Sequence, residues 1–218
     1  MNASASQFRG RLEQRLRDAG LTSALDPGEF ELLEQYYQLL TRWNRTINLT
    51  SLPLADFPAA TLDRLLVEPL VAAGSIENIP ISLFDLGSGG GSPAIPLKVV
   101  RPAVRLTMVE SSSRKAAFLR EAVHVAGLSG AVVLDGRVEA LAQRVRAGSV
   151  DVVTARAIRI DEDLLAAVSH LLGVGGRLLL FGSDAEPAPV GFRMSELKKL
   201  PGEGDNLSVL QRIEVGNA

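Results

Sequence analysis

The chain has 218 residues, of which 46% are hydrophobic, and its formal net charge is −2. This length and composition suffice for a globular core, and the slight negative charge is unlike that of a protein that coats nucleic acid by charge alone. The sequence contains no cysteine and two histidines, which excludes disulfides, cysteine-ligated zinc and thiol catalysis, and argues against a metal site.

The first part of the chain, residues 1–75, is predicted to be a helical extension. Its N-terminal segment lacks the apolar core of a secretory signal, and no apolar run approaches the roughly 20 residues of a membrane helix, so we expect a cytoplasmic protein without membrane partners. Apolar residues recur at helical steps in EFELLEQYYQLLTRW, with Asp26 and Pro27 at the helix start. A second helix is predicted over AATLDRLLVEPLVAAG, ending at Gly74.

Residues 76–218 have the pattern of an α/β domain. Short apolar runs bounded by Gly and Pro alternate with helical stretches, which predicts βαβ units and a mostly parallel sheet with helices on both faces. The runs are ISLFDL, VRLTMVE, AVVLD, VDVVTA and GRLLLFG. The final segment, FRMSELKKLPGEGDNLSVLQRIEV, predicts two strands around a turn and therefore an antiparallel end of the sheet.

A glycine-rich loop, FDLGSGGGSPAIPLKVV, follows the first predicted strand. Its glycines permit positive φ and close approach of the backbone to a ligand. Ser92 is predicted to cap the next helix, with Pro93 in its first turn. Because ligands of open parallel sheets lie beyond the carboxyl ends of the strands, a cofactor is expected at this loop.

The loop alone does not identify its nucleotide. A dinucleotide fingerprint requires glycine where the chain has Ser92, and a P-loop requires a Gly-Lys-Ser/Thr ending that is absent. The second strand ends in Glu110, which can accept hydrogen bonds from the ribose hydroxyls of an adenosine. NAD and S-adenosylmethionine both carry that ribose. Asp85 either makes the cleft negative or orients the loop backbone.

A longer set of motifs resembles a known family. The runs WNRTINLT, DLGSGGGSPAIPL, RKAAFL, GRVEAL, DVVTARA and GGRLLLFG, within about residues 36–182, resemble the bacterial small-subunit ribosomal RNA guanine-N7 methyltransferases, also called glucose-inhibited division protein B or methyltransferase G. The resemblance implies an α/β class I methyltransferase with a mostly parallel seven-stranded sheet and S-adenosylmethionine as cofactor. It also implies small-subunit ribosomal RNA or the ribosomal particle as substrate, and we expect the protein to be a monomer.

The resemblance implies roles for particular residues. Glu110 matches the ribose acid, and Val138 and Glu139 match the pair flanking the adenine. The residues expected to bind the cofactor are Asp85, Gly87, Gly89, Gly91, Ser92, Glu110, Val138, Glu139 and Arg156.

Arg156 matches the arginine at the rim of the active site and is the expected catalytic residue. It is expected to contact the guanine edge or a neighbouring phosphate, and the alternative is an ion pair with Asp161 or Glu162. Guanine N7 already has an in-plane lone pair and no proton, so no general base is required. The candidate RNA contacts are Arg114, Lys115 and Arg137.

The chain departs from the family pattern on the substrate side. Leu65 stands where the family has His, Glu68-Pro69 where it has Asp-Ser, and Phe181 where it has Lys. Two alternatives therefore stay open beside the guanine-N7 reading. One is a methyltransferase of the same fold with another RNA or a small-molecule substrate, and the other is a non-catalytic relative that binds S-adenosylmethionine and RNA. A nicotinamide oxidoreductase is the least favoured interpretation.

Overall fold

The structure is a computed structural model that describes residues 3–21, 25–158, 160–182, 185, 187–202 and 205–214. In these ranges, helices precede the sheet, as the sequence predicts, and they include one π-helical turn that it does not. The second helix begins with a capping box, in which the Asp26 carboxylate accepts from the Glu29 N–H and the Glu29 carboxylate accepts from the Asp26 N–H. The bounds are α1 Ala3–Asp18, α2 Pro27–Trp43, α3 Ala59–Leu62, the π turn Asp63–Val67 and α4 Glu68–Ala73.

The π turn lies inside the segment predicted as one continuous helix, and a proline explains it. Pro69 has no N–H to donate to the carbonyl of Leu65, and its ring would collide with that carbonyl in a regular α-helix. The backbone widens, so that the Glu68 N–H donates to Asp63, five residues back. The carbonyls of Arg64 and Leu65 are thereby left for side chains from elsewhere in the fold.

In the described ranges, seven strands form one sheet in the order β3-β2-β1-β4-β5-β7-β6. The strands from β3 to β5 in this order pair in parallel, whereas β7 pairs antiparallel to β5 and to β6. The predicted mostly parallel sheet with an antiparallel end is confirmed. The remaining bounds are β1 Ser82–Leu86, α5 Ala94–Val100, β2 Arg105–Glu110, α6 Ser113–Val125, β3 Ala131–Asp135, α7 Val138–Ala142, β4 Val150–Arg156, α8 Glu162–Leu171, β5 Leu172–Phe181, β6 Phe192–Lys199 and β7 Asn206–Arg212.

The core lies on both faces of the sheet. Leu83 packs with the α1, α2, α5 and α6 side chains, whereas its neighbour Phe84 packs with those of α7 and α8. This division follows from the alternation of side chains along a strand. The N-terminal helices share the first cluster with the sheet, so the proposed division at residues 75 and 76 crosses a continuous core.

Candidate functional site

A cleft of about 480 Å³ opens at the carboxyl ends of β1 and β4. One wall is the glycine loop and another is the segment that joins α2 to α3. The π turn closes one side and the start of α6 contributes a lysine. The residues lining the cleft include Asn48–Leu52, Arg64, Leu65, Gly87–Gly90, Ser92, Lys115, Arg156 and Ala157.

The glycine loop is held beneath the cleft by the neighbouring strand. The N–H groups of Gly87 and Ser88 both donate to the carbonyl of Val109 on β2. Gly91 has a φ of 87°, and a Cβ there would lie 2.5 Å from the Ile95 side chain, so only glycine fits without strain. These contacts fix the backbone at the ligand side.

The predicted capping role of Ser92 is wrong. Helix α5 begins at Ala94, its N-cap is Pro93, and no side chain caps it. The Ser92 hydroxyl instead donates to the Leu65 carbonyl at 2.8 Å. That carbonyl is available because Pro69 cannot donate to it, so Ser92 joins the glycine loop to the π turn.

Tyr36 and Asn44 position the walls of the cleft, although the sequence analysis gave neither a role in the site. The buried Tyr36 hydroxyl donates to the Gly90 carbonyl at 2.7 Å, and burial raises its pKa, so it stays protonated. The Asn44 side chain accepts from the N–H groups of Leu49 and Thr50 and donates to the Thr50 carbonyl. The quoted WNRTINLT motif contained this signal, because an asparagine followed by a short loop favours such side-chain-to-backbone turns.

Replacing Asn44 with alanine is expected to lower the free energy of unfolding by about 2 kcal/mol, since two backbone N–H groups and one carbonyl lose their partner. We also expect weaker cofactor binding, because the loop that it fixes lines the cleft. Chemical denaturation and calorimetry with S-adenosylhomocysteine measure the two effects. Asn44→Asp keeps the acceptor oxygen and should lose less stability, so equal losses would contradict this role.

Asp85 lies at the end of β1, directly before the loop, and is 1% exposed. Its Oδ1 accepts from the Thr154 hydroxyl at 2.6 Å, whereas Oδ2 has no hydrogen-bond partner among the described residues. Burial raises the pKa of Asp85 to about 6, against the lowering effects of the Ser88 and Thr154 hydroxyls. Asp85 does not line the cleft, so its charge would act on a cationic ligand through space and not by contact, and Arg156 is already a nearby positive charge that lowers this pKa.

Glu110 lies at the end of β2 and already has two backbone partners. One oxygen accepts from the Gly89 N–H and the other from the Ser112 N–H, each at 2.8 Å. Each oxygen keeps a second lone pair, which is what an adenosine ribose requires. The predicted adenine pair follows β3: Val138 is buried, Glu139 is exposed, and neither lines the cleft.

Arg156, at the end of β4, lines the cleft but its side chain is only 8% exposed. Its guanidinium donates to the Glu68 carboxylate at 2.7 Å and to the carbonyl of Arg64. Its Nε has no partner among the described residues. The alternative pairing with Asp161 or Glu162 is wrong, because the ion-pair partner is Glu68 and Asp161 instead caps α8.

The three candidate RNA contacts have different positions. Lys115 lines the cleft, whereas Arg114 and Arg137 are exposed at the starts of α6 and α7. Across the described ranges we find neither a group of three acidic or histidine side chains suited to a metal ion nor a helix long and apolar enough to cross a bilayer.

The parallel sheet with its antiparallel end, the glycine loop and the acid at the tip of β2 define a protein of the class I methyltransferase fold. Solved structures agree: a SAM dependent methyltransferase from Aquifex aeolicus is 14% identical with a TM-score of 0.55, covering 71% of this chain and 93% of that one. The putative methyltransferase yhhF from Escherichia coli is 12% identical with a TM-score of 0.56, covering 68% and 87%. At these identities the likeness shows the fold.

Sequence comparison identifies the family. The family model described as GidB, rRNA small subunit methyltransferase G, matches residues 29–188. Ribosomal RNA small subunit methyltransferase G of Stenotrophomonas maltophilia is 39% identical over 196 residues, 87% of this chain and 86% of the relative, and that of Xanthomonas oryzae is 38% identical over 184 residues, 81% and 82%. The chain belongs to the family of rRNA small subunit methyltransferase G. The predicted enzyme class, an S-adenosylmethionine-dependent rRNA methyltransferase, is confirmed.

Proposed function

We propose that the cleft binds S-adenosylmethionine on the glycine loop and transfers its methyl group to N7 of a guanine in small-subunit ribosomal RNA. Binding of the cofactor is supported by the two buried acids at the ends of adjacent strands. Glu110 retains acceptor lone pairs for the ribose, and Asp85 has one oxygen that no described residue hydrogen-bonds, so its negative charge is available to attract a sulfonium. Family membership supports the RNA half.

The chemistry needs little from the protein beyond position. S-adenosylmethionine supplies an electrophilic methyl group on a sulfonium, and guanine N7 supplies a lone pair without losing a proton. Among the described residues, no acid at the cleft is placed as a general base: Asp85 is beneath the loop, and Glu68 is paired with two arginines. The protein therefore has mainly to hold the reacting groups in line. Tyr36, Ser92 and Arg156 fix the walls of the cleft in which these groups are held.

Methylation of defined RNA tests the proposed function. Purified protein is incubated with methyl-labelled S-adenosylmethionine and either deproteinised small-subunit RNA or whole small subunits from a strain that lacks the gene. We expect label in one guanine, and N7-methylguanine is mapped by its susceptibility to reduction and chain cleavage. Label at another atom or in another molecule would reject the guanine-N7 assignment, and no label would reject the activity.

The basic residues at the start of α6 are proposed to contact RNA phosphates. Replacing Arg114 and Lys115 together with glutamine should weaken RNA binding several-fold and lower the slope of log affinity against log salt concentration by about 1 to 2. Arg144→Gln with Arg146→Gln makes the same charge change on exposed residues outside the cleft lining. Equal effects from the two pairs would show general charge attraction and contradict the proposed contacts.

We propose that the enzyme works as a monomer in the cytoplasm, where small-subunit RNA is made and assembled. Sedimentation of the protein with and without substrate tests the oligomeric state, and comparison of free RNA with whole particles in the methylation assay identifies the preferred substrate.

A further inference from the structure

The departures from the family pattern come together in space. Glu68 and Phe181, which lie more than a hundred residues apart in the chain, both contact the guanidinium of Arg156. Pro69 leaves the carbonyl of Leu65 free for Ser92, and the same π turn frees the carbonyl of Arg64 for Arg156. Substitutions that seem unrelated along the sequence therefore form one contact cluster at the edge of the cleft.

Glu68 is the centre of charge in this cluster. Its side chain is 2% exposed, and a single oxygen, Oε2, accepts from Arg156 at 2.7 Å and from Arg64 at 3.2 Å. Arg64 also contacts Asp205 at 3.2 Å, but Asp205 is 39% exposed and makes no contact with Arg156. Of these two carboxylates, Glu68 alone holds the arginine that lines the cleft.

The guanidinium of Arg156 is restrained from three directions. One terminal nitrogen of the guanidinium donates to the Glu68 carboxylate. The other donates to the Arg64 carbonyl and lies near the Ser92 hydroxyl. The Phe181 ring lies against the face of the guanidinium, with 4.3 Å between Cζ and the ring centroid. Cation–π contact with a buried ring and a short charged hydrogen bond both favour one orientation of the plane. The arginine is thereby fixed where β4 meets the cleft.

We propose that Glu68 is the positioning residue for Arg156: its carboxylate, with Phe181 behind the guanidinium, keeps Arg156 in the orientation needed for methyl transfer to RNA. This inference rests on the proposed function. On this proposal, the residues at positions 68, 69 and 181 together hold Arg156. The absence of the usual family residues at these positions then does not imply loss of activity.

The ionisation of Glu68 provides a characteristic signature. Burial raises the pKa of Glu68 to about 7, although Arg156 and Arg64 lower it; Asp205 is the further acid facing it. Below pH 7 the carboxyl group becomes neutral and holds the arginine less firmly. We therefore expect the wild-type rate of methyl transfer at saturating substrates to fall as the pH decreases through 7. A variant without the Glu68 carboxyl lacks this step, and any fall that remains below about pH 6 belongs to Asp85, whose pKa burial raises to about 6.

Matched variants of two acids test the inference. Glu68→Gln keeps the shape and an acceptor oxygen but removes the charge, and Asp205→Asn makes the same change at the other acid beside Arg64. We expect Glu68→Gln to lower kcat by about 10-fold to 100-fold and to lose the pH step, with the KM for S-adenosylmethionine within about twofold of wild type. Asp205→Asn should keep the wild-type kcat above pH 7 and keep the pH step, which should move to lower pH because the Asp205 charge raises the pKa of Glu68.

A second readout does not depend on turnover. In the full chain labelled with ¹⁵N-arginine, the Nε–H resonance of Arg156, assigned by its absence from Arg156→Lys, should be slow to exchange in wild type and in Asp205→Asn and broadened in Glu68→Gln. If Glu68→Gln does not fold, Glu68→Asp retains the charge with a shorter reach and should show a smaller loss of kcat with the pH step preserved.

Failure of the positioning role of Glu68 can be distinguished from failure of the proposed function. An unchanged kcat in Glu68→Gln, with or without a change in the arginine resonance, would overturn the positioning role, as would equal losses in Glu68→Gln and Asp205→Asn. If wild type transfers no methyl group to ribosomal RNA, the proposed function fails, and the arginine resonance then decides whether Glu68 holds Arg156.

Discussion

Replacing Arg156 with alanine is expected to abolish measurable methyl transfer and to lower the free energy of unfolding by about 3 kcal/mol. The loss of stability arises because the Glu68 side chain, 2% exposed, would lose its nearest partner, and without that positive charge its pKa would rise further, so the buried carboxyl would take up a proton and lose the ion pair. Arg64 still contacts the same oxygen at 3.2 Å, so the loss should fall at the lower end of the range for broken buried pairs. This differs from the behaviour of a rim arginine that touches only substrate.

The double variant Glu68→Gln with Arg156→Ala separates stability from activity. It removes both charges of the pair, so we expect chemical denaturation to show most of the lost stability restored, while methyl transfer stays absent. Methylation is measured at saturating S-adenosylmethionine and RNA. Retained turnover in Arg156→Ala would reject its role in the reaction, and an unchanged unfolding free energy would show that the ion pair contributes nothing to the fold.

Replacing Asp85 with asparagine is expected to weaken S-adenosylmethionine binding by about 30-fold, which corresponds to about 2 kcal/mol, and to stabilise the protein without cofactor by about 1 kcal/mol at pH 7.5. The carboxylate is buried and no described residue hydrogen-bonds one of its oxygens, so its charge is costly even with Arg156 nearby, because burial outweighs that attraction. An amide avoids that cost and can still accept from Thr154. Opposite signs for affinity and stability mark a residue selected for binding.

The pH dependence of stability also predicts the direction of the change in Asp85→Asn. Burial raises the pKa of Asp85 from 3.8 to about 6, so the folded state holds its proton longer than the unfolded state does. Between about pH 4 and pH 6 the unfolded chain ionises first, and this group's contribution to stability decreases as the pH rises. The advantage of Asp85→Asn over wild type should therefore be small at pH 4 and reach its full size above pH 6.

Denaturation at several pH values and calorimetry with S-adenosylmethionine measure these effects. Asp151→Asn is the control: this carboxylate accepts from the Ser82 N–H near the amino ends of the strands, away from the cleft. It should lower stability slightly and leave cofactor affinity unchanged. Cofactor affinity within twofold of wild type in Asp85→Asn would contradict a charge-based role.

The sheet could be predicted from the sequence because each strand is a short apolar run bounded by Gly or Pro, and such patterns are local. Strand β5 is longer than the run GRLLLFG that predicted it, because it starts at Leu172, directly after α8. Helix α7, by contrast, ends at Ala142, although the stretch VEALAQRVRA in the sequence predicts a helix through residue 147. Hydrogen bonding to neighbouring strands extends β5 beyond its apolar run. Helical periodicity alone is not enough to continue α7.

The positions of the glycine loop and Glu110 were more predictable than the surroundings of Arg156 for a physical reason. Gly87, Gly91 and Glu110 lie at strand ends, where topology alone determines what they face. The partner of Arg156 could not be found in this way, because Glu68 lies 88 residues earlier in a helix and nearby acids such as Asp161 were more obvious candidates. Pro69, read as a departure from the pattern, contained the missing signal: a proline inside a helix frees carbonyls that other side chains then bind.

The π turn also constrains how this chain can change in length. A π turn is equivalent to one extra residue in an α-helix, and it rotates everything after it by about 100° relative to a regular helix. Deleting one residue from Asp63–Val67 would remove the wide turn, bring the Pro69 ring against a carbonyl of the preceding turn and turn Glu68 away from β4. Insertions and deletions, usually tolerated between elements, should therefore be selected against in this helix more strongly than most single substitutions.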